Sequence, residues 1–272
     1  MSAADRLRPE DAGRVHPRDP QSRDPQSQDP LPRDPLRIVS IFPTLLGTYG
    51  DGGNARILAV RAQARGIAAE VLVIDPGTPL PVDGDIYLLG GGEDDAQVAA
   101  ARLLRADGGL ARAADRGAVI FGVCAGYQLL GHAFPGAGGE IESGLGLLDV
   151  TTSRLTRRAV GELLAEPTDA TPLQTFLTGY ENHAGATVIG AGARPLGQVR
   201  HGVGNGTLFA GKPAEGAVQG RIIGTYLHGP GLARNPDLAD LLLSMAVGTP
   251  LPPWPQPEIE ALRAERLASL RG

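Results

Sequence analysis

Short, nearly unbroken apolar runs separated by helical patterns are what most restricts the fold of this chain. Ile38–Phe42 (IVSIF), Glu70–Ile74 (EVLVI), Asp85–Leu89 (DIYLL), Ala118–Val123 (AVIFGV) and Ile222–Leu227 (IIGTYL) each read as a strand. Between them, Asn54–Arg65 carries Ile57, Leu58 and Val60 on one side, and Val98, Ala101 and Leu104 recur at helical spacing within Ala96–Arg105. Strands that lack polar alternation are those covered on both faces. The pattern therefore predicts an α/β fold, a doubly wound and mostly parallel sheet with flanking helices.

The stretches outside this alternation look different. Over residues 1–35, Asp-Pro recurs every five residues (Asp19-Pro20, Asp24-Pro25, Asp29-Pro30, Asp34-Pro35), with little apolar side chain to bury. Such a tract cannot offset its ordering entropy and reads as a disordered tail. One catalytic domain is expected over residues 36–248, its later part richer in strands and glycine, with Leu145–Thr152, Ala186–Ile189 and Ala217–Gln219 as candidate strands. Asn235 and Pro236 open a helix marked by Leu238, Leu241, Leu242 and Met245. Residues 249–272 read as a proline-rich linker, LPPWPQP, followed by a weakly amphipathic helical tail.

A net charge of −5 argues against nucleic-acid and membrane-surface binding, which usually call for basic protein. No run reaches the about 18 apolar residues of a membrane span, and the opening MSAADRLRPEDAGR lacks the apolar core of a secretory signal. The single cysteine excludes an internal disulfide and suits a reducing cytoplasm.

That cysteine, Cys124, lies in Ile120-Phe-Gly-Val-Cys-Ala-Gly-Tyr-Gln128, between Gly122 and Gly126. Small residues two before and two after are what a sharp strand-to-helix turn requires. The turn lifts the sulfur above the sheet edge, where the following helix's dipole favours thiolate. The Ala125 amide is a candidate oxyanion donor, and a second is expected from Gly90-Gly91-Gly92, directly after DIYLL. A lone cysteine is more often an inert buried residue; strand, glycine-flanked turn and helix start together reverse that reading. Among the histidines, His16 lies in the tail, while His132 and His201 suit solvated surface. His183, in Tyr180-Glu-Asn-His-Ala-Gly185, lacks a strand-end position. His228 follows the last strand and is expected at the same sheet edge as Cys124, where open α/β folds build their sites.

These residues resemble class I glutamine amidotransferases, which have a flavodoxin-like architecture, and within them the cobyric-acid-synthase-like branch. The match is carried by TYGDGGN (48–54), LLGGGEDD (88–95), GVCAGYQLLG (122–131), GLGLLDV (144–150), SRLT (153–156), GYENHAG (179–185) and GTYLHGP (224–230). TYGDGGN and ENHAG point more narrowly to glutaminase subunits that serve a Mur-ligase-like partner of the MurT type, which amidates the D-glutamate of lipid II in peptidoglycan synthesis.

The resemblance implies that Cys124 attacks the glutamine amide carbon and that His228 shuttles protons. It makes Ala125 with Gly91 or Gly92 the oxyanion hole, and Arg154 the substrate-binding arginine, against the alternative of an ordinary surface arginine. Gln128 is placed at the pocket, and Glu181 and His183 are structural hydrogen-bonding residues. It implies no cofactor or metal in this chain, with ATP and Mg on the partner, a pairing of one to one, and a cytoplasmic location. Many relatives carry His-x-Glu, whereas Gly229 and Pro230 follow His228 here. The triad acid is therefore expected to be missing from this chain and supplied by the partner.

Three other readings remain. A corrinoid-type acceptor would usually come with a fused synthetase domain, which this sequence lacks. A stand-alone cysteine hydrolase such as a γ-glutamyl hydrolase would need no partner. A nucleotide-binding module is suggested by the glycines of residues 47–53, although G-x-x-G-x-G-G is neither a dinucleotide fingerprint nor a P-loop.

Overall fold

The computed structural model describes residues 34–48 and 50–270. Most of the Asp-Pro tract, and His16 within it, lies outside the described residues. The strands are β1 (Leu36–Ile41), β2 (Ala69–Ile74), β3 (Ile86–Leu89), β4 (Val119–Val123), β5 (Ala133–Pro135), β6 (Ile141–Ser143), β7 (Val150–Pro167), β8 (Leu177–Ile189), β9 (Gly197–His201), β10 (Leu208–Phe209), β11 (Lys212–Glu215), β12 (Ala217–Gln219) and β13 (Ile222–Thr225). The helices are α1 (Gly53–Gln63), α2 (Asp94–Asp107), α3 (Gly109–Asp115), α4 (Ala125–Leu130), α5 (Gly231–Arg234), α6 (Pro236–Val247) and α7 (Pro257–Ser269).

The apolar runs assemble into one sheet of order β12-β13-β4-β3-β1-β2, parallel throughout except for the β12–β13 pair. All of β3 and β4 is buried, as expected of strands covered on both faces. Strand β2 departs from that expectation. It is the edge strand, and Val71 and Val73 stay exposed there. Helices α1, α5 and α6 pack together as one group, and α2, α3 and α4 as another. A paired salt bridge ties α1 to α6, with Arg61 and Arg65 both on Asp240. The same two guanidinium groups lie 5.1 and 5.6 Å from the ring centre of Trp254, and Arg61 also bonds Gln256. In α7, Arg263 bonds the backbone of Arg234 and Phe176.

A second sheet has the order β10-β11-β9-β7-β5-β6, with β8 paired antiparallel to β7. Of the candidate strand Leu145–Thr152 only residues 150–152 belong to this β7–β8 ribbon, residues 145–149 forming the bend before it, whereas Ala186–Ile189 is the end of β8; the two strands run to 18 and 13 residues. Periodicity fails along β7 because its register slips between Arg154 and Ala159, so the segment SRLTRR loses strict alternation. No described helix is long and apolar enough to cross a membrane.

Candidate active site

Cys124 occupies the joint between β4 and α4 with φ 52° and ψ −104°. A positive φ on a side chain with a Cβ is strained by about 1–3 kcal/mol and persists only where its surroundings fix it. Here the Cys124 amide donates to the Thr225 carbonyl at 2.8 Å, and the Gly126 amide to the Gly90 carbonyl at 3.1 Å. The helix start lies so close to the sheet that a Cβ on Gly126 would sit 2.5 Å from the Leu89 carbonyl oxygen. One on Gly122 would sit 2.8 Å from the Gly126 backbone. The two glycines expected from the sequence are thus required sterically by the elbow.

His228 reaches the same edge by a route the sequence does not reveal. Strand β13 ends at Thr225, where the Leu227 amide donates to the Thr225 hydroxyl at 3.1 Å and turns the chain. His228 then exchanges two backbone hydrogen bonds with Tyr180 of β8, at 3.0 and 3.2 Å. The imidazole is 1% exposed and places Nδ1 3.1 Å from Asp51 Oδ2. Burial opposes its positive charge, but the hydrogen bonds and negative charge of Asp51 and Cys124 prevail, raising its pKa from 6.5 to about 10.

The expectation that no acid of this chain reaches the histidine is therefore overturned. Asp51 sits in the loop between β1 and α1, and Asp237, the next acid after His228, instead accepts from the Thr175 hydroxyl at 2.6 Å. Within the glycine-rich 47–54 loop Asp51 is the one acid. The available signal was a carboxylate in the loop directly after the first strand, at the sheet edge shared with Cys124. The loop also docks on the segment around His228, since Asn54 Oδ1 accepts from the Leu232 amide at 3.0 Å and a Cβ on Gly53 would lie 2.5 Å from Pro230. Gly47 is likewise crowded, a Cβ there lying 2.1 Å from the Pro43 carbonyl oxygen, so two of the loop's glycines serve close packing within the protein.

The oxyanion expectation is narrowed. The Gly91 amide donates to Asp51 Oδ2 at 2.8 Å, so in this state it is directed at the carboxylate. Gly92 lines the cleft at Cys124 together with Ala125. The Ala125 amide is one of the first-turn donors that a helix leaves without an intrahelical acceptor.

That cleft, about 60 Å³, is walled on its far side by the second sheet. Arg154 of β7 and His183 of β8 both line it. Half-exposed Arg154 bonds Asp94 at 3.0 Å and the Gly136 carbonyl. Gln128 also lines the cleft, but its amide is engaged by Gln97 and by the Tyr226 hydroxyl, each at 3.1 Å. His183 stacks on Tyr226 with ring centres 3.7 Å apart, and Glu181 accepts from the Val203 and Gly204 amides at 2.8 Å. Among the described residues no group of three or more His, Cys, Asp or Glu side chains is placed to hold a metal ion.

Comparison with known proteins agrees with this geometry. The model of the CobB/CobQ-like glutamine amidotransferase domain matches residues 37–236. The "Lipid II isoglutaminyl synthase (glutamine-hydrolyzing) subunit GatD" of Staphylococcus aureus (strain N315) is 34% identical over 215 residues, covering 78% of this chain and 84% of that one. The cobyric acid synthase of Sphingopyxis alaskensis is 36% identical over 184 residues, 64% of this chain but only 34% of that protein. A glutamine amidotransferase structure from Thermotoga maritima shares the fold at TM-score 0.51 and 16% identity, over 88% of this chain and 97% of that one. With its glycine-flanked cysteine and a histidine at the same sheet edge, the chain belongs to the CobB/CobQ-like glutamine amidotransferase family.

Proposed function

We propose that this chain is the glutaminase subunit of a two-subunit amidotransferase that amidates the D-glutamate of lipid II. The observation that carries the chemistry is the strained elbow holding Cys124 at the sheet edge it shares with buried His228, whose Nδ1 meets Asp51. The sulfur and the imidazole together suit attack on an amide. The sulfur adds to the side-chain carbonyl carbon of glutamine, and the oxyanion is received by the Ala125 and Gly92 amides. His228 gives its proton to the departing nitrogen, the C–N bond breaks, and ammonia leaves. Water, deprotonated by His228, then cleaves the thioester to glutamate and restores the thiol. Proton transfer of this kind contributes roughly a hundred- to ten-thousand-fold in rate. Arg154 would exchange Asp94 for the glutamine carboxylate, and Gln128 would shape the cleft floor.

Similarity along most of a GatD subunit, against a third of a cobyric acid synthase, supports lipid II over a corrinoid as acceptor. On this reading a Mur-ligase-like synthetase binds ATP and Mg, takes the ammonia, and works with this chain in the cytoplasm. Replacement Cys124→Ser is expected to abolish glutamine-dependent amidation by the assembled complex while ammonia-dependent amidation continues. Glutamine-driven product from that variant would exclude Cys124 as nucleophile. Co-purification with a corrinoid synthetase would replace lipid II as acceptor.

A further inference from the structure

We infer that Asp51 is the positioning residue of His228, holding the imidazole through Nδ1 and tying it to the Gly91–Gly92 loop, so that the chain carries its own triad acid. This rests on the glutaminase reading above. The acid lies 177 residues from the histidine in sequence, and its side chain is fully buried. Among the described residues it is the one carboxylate that pairs with His228.

One oxygen, Oδ2, receives both Nδ1–H of His228 at 3.1 Å and the Gly91 amide at 2.8 Å. A carboxylate serving two donors is acceptor-only, which fixes the proton on Nδ1 and leaves Nε2 to deal with the thiol. The contact is tight enough that a Cβ on Gly91 would stand 2.7 Å from His228 Cε1 and 3.1 Å from Asp51 Oδ2. The other face of the same loop is held by the Thr48 amide on the Gly91 carbonyl at 3.1 Å. The base and the strand that presents Gly92 are thus registered on one carboxylate. Among the described residues, the titratable groups acting on His228 include Asp51, from the loop before α1, and Cys124, from the elbow, and Tyr180 of β8 meets it through two backbone hydrogen bonds.

The test uses the full chain and its Asp51→Asn variant, which keeps the shape and can still accept from Gly91. Histidine NMR titration of wild type is expected to show His228 protonated well past neutrality, and in the variant to show it titrating at lower pH. With saturating L-glutamine, kcat of the variant is expected to fall roughly 10²- to 10⁴-fold with KM within about threefold. The alkaline limb of its pH profile is expected to move to lower pH. A wild-type His228 that titrates near its ordinary value overturns the inference. So does a variant with unchanged kcat and titration, or a requirement for a carboxylate on an added synthetase in place of Asp51. A wild-type chain with the expected titration that releases no ammonia from glutamine, alone or in complex, overturns the glutaminase reading instead.

Discussion

The parallel sheet and the β7–β8 ribbon divide the site between them. The parallel sheet supplies buried Cys124 from an elbow whose two glycines pack directly against backbone. The ribbon supplies the opposite wall, where Arg154 is half-exposed and β7 has slipped its register. Reacting atoms tolerate little displacement, so they sit where packing fixes them. A wall that admits and releases a small polar substrate can be looser. The two regions meet at His228, which follows a strand of the first sheet but is pinned by Tyr180 of the second.

This division can be broken most sharply at Gly126. A Cβ there would stand 2.5 Å from the Leu89 carbonyl oxygen, and neither backbone segment can yield without moving Cys124. Gly126→Ala is expected to cost about 3 kcal/mol, a fall of roughly 6–12 °C in melting temperature by calorimetry, together with loss of glutaminase activity. A stable, active variant would show that the elbow is not rigid.

The junction of the two sheets offers the next test. Glu215 of β11 is fully buried; burial raises its pKa from 4.5 to about 7, against the opposing hydrogen bonds from Thr225 and the Tyr226 amide. Between those values the folded protein keeps a proton that the unfolded chain has lost. Stability is therefore expected to fall as pH rises through that window, by up to about 3 kcal/mol. Glu215→Gln should flatten this slope in melting temperatures measured from pH 4 to pH 8. An unchanged slope would mean that Glu215 ionises at its ordinary value.

Arg154 sharpens the comparison from the looser side. Its exposed ion pair with Asp94 contributes little to folding, so Arg154→Ala is expected to shift stability by no more than about 0.5 kcal/mol. Losing a charged contact to the substrate carboxylate is expected to raise KM for glutamine roughly 10- to 100-fold. A wild-type KM would return Arg154 to the ordinary surface.

What sequence revealed and what it concealed follow the same line. IVSIF, DIYLL and AVIFGV were legible as strands because a buried parallel strand is apolar along its length, a property each residue carries locally. EVLVI was legible as a strand but not as an exposed edge, since strand order is decided by neighbours. The ribbon was read only in pieces because its bulge and its arginines disturb alternation. For His183 and Glu181 the sequence shows neither the stacking on Tyr226 nor the hydrogen bonds from the Val203 and Gly204 amides.

By itself the sequence determined an α/β sheet, a cysteine on a glycine-flanked turn and a histidine beyond the last strand, because local sterics and burial write these into adjacent residues. Only the tertiary structure decided that Asp51 meets His228, that the Gly91 amide turns to that carboxylate, and that β8 holds the histidine in place. Those contacts join loops far apart in the chain, and no spacing or periodicity in the sequence records which loops a folded sheet edge brings together.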